Sequence, residues 1–132
     1  MKYIGIDFGT KRVGVALSDE RGELAFPRVV IENNRSLGTK IKELCERELV
    51  EKMIVGESLG YDQKPNAVMK DIEAFVRDMT EMLGIPIELE PEFMTSAQAE
   101  QVRGKHAMID ASAAAIILQS YLDKQKNGKH NI

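Results

Sequence analysis

"MKYIGIDFGTKRVGVALSDE", residues 1–20, sets an aspartate, Asp7, inside an apolar run, follows it with Gly9-Thr10-Lys11-Arg12, and starts a second apolar run at Val13. Tyr3 to Phe8 and Val13 to Leu17 are short, β-rich and joined by a tight polar connection, which predicts a hairpin. A second turn at "ERGE" leads into Ala25 to Ile31, a third strand whose Pro27 suits a sheet edge, because proline donates no ladder hydrogen bond. Three antiparallel strands therefore open the chain.

Downstream the period changes. Leu37, Ile41 and Leu44 recur at helical spacing, so a helix runs from Ser36 to about Glu48, and Lys52 to Gly56 is a compact apolar strand. The polar loop "ESLGYDQK" separates it from a long helix that starts at Pro65 and carries the stripe Val68, Ile72, Phe75, Val76, Met79 and Leu83. Gly84 closes that helix, and Ile85 to Glu90 forms a fifth strand. Thr95 and Gln98 have capping-box spacing, which predicts a short helix from Ser96 to Arg103. "GKHAMI" interrupts it, and Asp110 is the expected N-cap of a last helix containing Ala114, Ile117, Leu118, Tyr121 and Leu122. The expected order is βββ-α-β-α-β-α-α. It describes an α/β domain over residues 1–126, a five-stranded mixed sheet with helices on both faces, followed by a polar tail, 127–132.

Composition narrows the function classes. At 132 residues, 43% hydrophobic and 30% charged, the chain is ordinary globular sequence of one domain's length, too short for two lobes around a cleft. The net charge of −3 is not the field of a non-specific nucleic-acid binder, so any phosphate-facing surface has to be local. The one cysteine, Cys45, falls on the apolar face of the first helix, and a lone thiol fits a reducing cytoplasm. The first residues enter a strand pattern directly, so no signal peptide is expected. No apolar run approaches the roughly 18 residues of a membrane span.

Three acids occupy comparable places: Asp7 at the end of the first strand, Glu92 just after the fifth, and Asp110 at the start of the last helix. Strand ends and helix starts of such a sheet converge on one rim, so these carboxylates can form an ion site. A strand-end aspartate also braces a turn, and an N-cap aspartate stabilises a helix, so each acid has a local role as well. A sparse set of carboxylates suits Mg²⁺ or Mn²⁺, and an ion pair about 4 Å apart supports phosphodiester hydrolysis. Gly9 lets backbone approach a phosphate, with Thr10, Lys11 and Arg12 beside it. Other basic residues near this rim are Lys64, Arg103, Lys105 and His106, the last three in the segment before Asp110.

Taken together, "GIDFGTKRVGVALSD", the "MTSAQA" segment after Glu92 and "IDASAAAIILQSYLD" resemble the YqgF (RuvX-like) family of RNase H-like pre-16S rRNA nucleases and Holliday-junction resolvases. The likeness runs nearly end to end. It implies a cytoplasmic, divalent-metal-dependent endonuclease acting on structured RNA or branched DNA, as a monomer or homodimer. The family's acids fall on Asp7, Glu92 and Asp110, and Thr95, Arg103 and Lys105 join the residues near substrate. Two departures stand out. The family's middle motif carries Asp and Arg around its Glu, where this chain has Pro91 and Phe93, and its Gly-Leu-Pro after the fourth strand is here Gly56-Glu57-Ser58. Phe93 cannot replace a bidentate phosphate partner. Glu57 would end beside Asp7 and add a fourth carboxylate. Two further readings compete: a lapsed enzyme that still binds nucleic acid, and, because "GIDFGT" also looks like the phosphate-binding hairpin of actin-like ATPases and sugar kinases, a nucleotide site, against which stands that those proteins bind nucleotide between two lobes and this length supplies one.

Overall fold

A computed structural model describes residues 1–59, 68–93 and 106–130; for residues 59, 92, 93, 106–110 and 127–130 it describes backbone only. The hairpin is β1 (Tyr3–Phe8) and β2 (Arg12–Ser18), and β3 (Ala25–Glu32) lies antiparallel to β2. Helix α1 (Leu37–Glu48) leads to β4 (Lys52–Leu59), α2 (Met69–Leu83) to β5 (Ile87–Phe93), and α3 (His106–His130) covers the sheet. The sheet order is β3-β2-β1-β4-β5, with β4 parallel to both β1 and β5. Pro27 lies on the edge strand β3, as its missing donor requires.

Two cores separate along strand alternation. Ile4, Ile6, Val13 and Val15 pack with Leu37, Ile41 and Leu44 of α1 and Ile72, Phe75 and Met79 of α2. Ala16 and Ile54 face the other way, against Ala114, Ile117, Leu118 and Tyr121 of α3. Gly5 belongs to this second face. A Cβ there would stand 2.7 Å from Leu118 Cβ and 3.0 Å from the Ala114 carbonyl oxygen, so glycine is what lets α3 lie directly on β1. Cys45 is buried in the first core, as the helical spacing implied, and burial pushes its thiol up to about 11.

Several boundaries differ from the sequence reading. β4 continues through Leu59, so Glu57 lies within a strand and does not open a loop. β5 starts later and extends to Phe93, which puts Glu92 inside it, because pairing with the extended β4 outweighs the weak strand propensity of "EPEF". α3 begins at His106, so Asp110 is inside the helix and is not its N-cap, and His106 is helical. The backbone of α3 also continues through the polar segment to His130. The expected helix from Ser96 to Arg103 lies outside the described residues, as do Thr95, Arg103, Lys105 and Lys64.

Candidate active site

Alternation along β1 places Asp7 on the same face as Gly5, the face covered by α3. Asp7 is half-buried and opposite Gly14 of β2. The parallel register pairs Ile6 with Val55, so the next position on β4 beside Asp7 is Gly56, and Gly56 pairs with Glu90 of β5. Glycines on both sides leave Asp7 without bulky neighbours on that face.

Glu92 pairs with Ser58. Counting in twos from Glu90, it belongs to the α3 face of β5, two strands from Asp7 and two residues nearer the C-terminal end of the parallel strands. Residue 110 precedes Ala114 by four and Leu118 by eight, on the stripe of α3 that meets Gly5. Tyr121 packs on Tyr3 with ring centroids 5.8 Å apart, so α3 runs antiparallel to β1. One turn back from Ala114 therefore brings residue 110 from the level of Gly5 to that of Asp7, because a helical turn of about 5.4 Å nearly matches a two-residue step of about 6.6 Å along a strand. The positions of Asp7, Glu92 and Asp110 share one face and one end of the sheet.

Glu57 does not join them. It pairs with Pro91 and follows Val55 by two, which puts it on the α1 and α2 face. Among the described side chains no three His, Cys, Asp or Glu residues could hold an ion; those of Glu92 and Asp110 lie outside that set. The donor chemistry of the three positions, carboxylates alone, fits a hard cation such as Mg²⁺ or Mn²⁺.

The connection after Asp7 is fixed from a place sequence reasoning missed. Asn33 donates its side-chain amide to the Gly9 carbonyl at 2.8 Å and its backbone N–H to the Lys11 carbonyl at 2.9 Å. A Cβ on Gly9 would approach the Arg12 carbonyl oxygen to 2.4 Å, so the tight turn requires glycine. Thr10, Lys11 and Arg12 are thereby presented, exposed, at the edge of the site.

The acids of β5 were also overlooked. Glu88, Glu90 and Glu92 alternate in "IELEPEF", the spacing that puts them on one face. Glu88 Oε2 lies 2.7 Å from Lys52 Nζ and accepts from the Tyr121 hydroxyl at 2.8 Å. The hydrogen bond from Lys52, then that from Tyr121, holds the Glu88 carboxyl below its ordinary range, and the same contact with Glu88 raises Lys52. Glu90 Oε2 accepts from Ser120 Oγ at 3.0 Å and lies 2.6 Å from Lys124 Nζ.

The family model described as "RuvX: Holliday junction resolvase" matches residues 1–124. A protein of Nitratidesulfovibrio vulgaris named "Putative pre-16S rRNA nuclease" is 35% identical, over 93% of this chain and 94% of its own length. A protein of the same name from Syntrophus aciditrophicus is 34% identical over 93% of this chain and 89% of its own. Among solved structures, Thermus thermophilus RuvC in complex with a Holliday-junction substrate superposes with TM-score 0.59 at 16% identity, covering 96% of each chain. The fowlpox virus Holliday junction resolvase gives TM-score 0.56 at 13% identity, covering 94% of this chain and 99% of its own. The fold is RNase H-like, as the family resemblance implied.

Proposed function

The chain belongs to the RuvX family, and from that premise we propose that it is a divalent-metal-dependent endonuclease that hydrolyses phosphodiester bonds at the 5′ end of pre-16S rRNA during ribosome biogenesis. The observation that carries this reading is the common face and end of the sheet shared by Asp7, Glu92 and the position of Asp110.

Asp7, Glu92 and Asp110 are the residues that would hold Mg²⁺ or Mn²⁺. When bound, such ions activate the attacking water and stabilise the leaving oxygen. The chain's own residues bind and orient the substrate. The Gly9 turn admits a phosphate close to backbone, and Thr10, Lys11 and Arg12 contact it there. Thr95, Arg103 and Lys105, which lie outside the described residues, are assigned to substrate binding from the sequence alone. The balanced step is hydrolysis: water oxygen bonds to phosphorus, one phosphorus–oxygen ester bond breaks, and the leaving oxygen takes a proton. Glu57, on the opposite sheet face, is left out of this ion site. The family resemblance implies work in the cytoplasm.

The test is cleavage of end-labelled pre-16S RNA and of a four-way DNA junction by the purified chain, with Mn²⁺ and with chelator. Metal-dependent cutting of the RNA, with the junction left intact, supports the reading. Symmetric cutting of the junction alone would replace it with a resolvase, which needs two sites in a dimer. Tight RNA binding without turnover in Mn²⁺ would make the chain a binding module.

A further inference from the structure

Glu90 is only 3% exposed, lies on the strand that carries Glu92, and has no part in the chemistry above. Among the described residues its hydrogen-bond partners, Ser120 and Lys124, belong to α3. On either side of Ser120, Gln119 accepts from the Ala25 N–H at 2.9 Å and donates to the Glu23 carbonyl at 3.0 Å, and Tyr121 is tied to Lys52 and Glu88. Among the described residues, the side-chain hydrogen bonds from α3 to the sheet and its turns thus fall within residues 119–124. The preceding half, Ala111 to Leu118, meets the sheet through alanine, isoleucine and leucine.

The two halves do different work. Apolar contact is non-directional, and in this half the seat of the helix is set by packing alone, at the Gly5 notch against Ala114 and Leu118. Hydrogen bonds to a buried carboxylate are directional, and a pair whose lysine is 59% exposed adds little net stability, so the effect of Glu90 is chiefly on register. Residue 110 belongs to the same continuous helix, so its level along β1 follows from where residues 119–124 are fixed.

We propose that Glu90, through Ser120 and Lys124, is a positioning residue that fixes the register of α3 on the sheet and thereby sets the helix-borne acid against the strand-borne acids for metal binding. This rests on the metal-site reading above.

The experiment is Mn²⁺ titration of the full chain, read by electron paramagnetic resonance of the free ion, for wild type, Glu90→Gln and Glu90→Leu, each with a thermal melt. Glu90→Leu removes the acceptor and should weaken Mn²⁺ binding by about tenfold or more, the usual effect of losing an outer support of a metal ligand. Glu90→Gln keeps an oxygen for Ser120 and Lys124 and should recover most of that loss. Unchanged Mn²⁺ affinity in Glu90→Leu, with only a lower Tm, would overturn the proposal by reducing Glu90 to a structural staple. Equal weakening in both variants would overturn it in favour of a charge effect. If Glu90→Leu does not melt cooperatively, Lys124→Met, at a side chain 59% exposed, carries the same comparison: weakened binding supports the proposal and unchanged binding overturns it. Failure of the metal reading itself is separate, because wild type would then bind no Mn²⁺ or Asp7→Asn would bind it as well as wild type, and the role of Glu90 would fall with it.

Discussion

Replacing Gly5 by alanine tests the contact that brings α3 down onto β1. The new Cβ would sit 2.7 Å from Leu118 Cβ and 3.0 Å from the Ala114 carbonyl oxygen. Ordinary contact begins near 3.4 Å, so α3 has to move by about 0.7 Å at Leu118. Neither atom can swing aside, since a Cβ is fixed to its backbone and the carbonyl is backbone. Alanine also restricts the unfolded chain, which favours folding by about 0.4–1 kcal/mol where the site can accept it. Overpacking in a close-packed interior costs about 1–3 kcal/mol, and with neither atom able to yield the cost falls in the upper part of that range, about 2–3 kcal/mol, so the balance is a net loss. For a chain of this size that lowers Tm by roughly 2–12 °C. Thermal and urea melts measure it, and amide exchange should show faster opening along α3 than along α1 or α2. A Gly5→Ala protein as stable as wild type would refute the close approach of α3 to β1, and with it the level assigned to residue 110.

Other outcomes follow from the same structure. Asn33→Ala removes the donor to the Gly9 carbonyl and should cost about 0.5–1.5 kcal/mol in a melt, with a larger fractional loss in RNA cleavage than in stability. Lys11→Ala with Arg12→Ala should weaken RNA binding and flatten its salt dependence, by roughly 0.7 in log–log slope for each phosphate of single-stranded RNA that is no longer neutralised. Because the Glu88 carboxyl is depressed, its stabilising contribution is present above the ordinary carboxylate value of 4.5 and lost as pH falls through the lower folded value. Because Lys52 is raised, its contribution is present below its ordinary value and lost as pH rises through the higher folded one. Glu88→Gln should therefore flatten the Tm–pH curve at both ends, with a small amplitude because the Glu88 side chain is half exposed.

How much was legible in the sequence divides along physical lines. Local patterning gave the five strands, the helical stripes at Leu37–Leu44 and Ile72–Leu83, and the edge position of Pro27, because alternation, period and a missing donor act within a few residues. Strand ends were not legible. β4 and β5 each outlast their apolar runs because they pair with each other from Met53–Ile87 to Leu59–Phe93, a non-local fact that propensity does not contain. The same extension settles the face of Glu57, which a loop reading left unconstrained. Asp110 looked like an N-cap on residue type, yet α3 starts a turn earlier, so its local capping role disappears. Asn33 gave only a turn-residue signal, since its partners Gly9 and Lys11 are brought to it by the β2–β3 pairing. The acids at 88, 90 and 92 were written in plain alternation, and only the fold shows that α3 meets the first two.

The most direct measurement is the single-turnover cleavage rate of end-labelled pre-16S RNA in Mn²⁺ for wild type, Asp7→Asn, Glu92→Gln and Asp110→Asn, with folding of each verified by its melt. Loss of one ion-holding carboxylate should slow cleavage by about 100-fold or more, about 2.7 kcal/mol of barrier, in all three variants. A folded Asp7→Asn, Glu92→Gln or Asp110→Asn protein that cleaves at the wild-type rate would contradict the shared metal site.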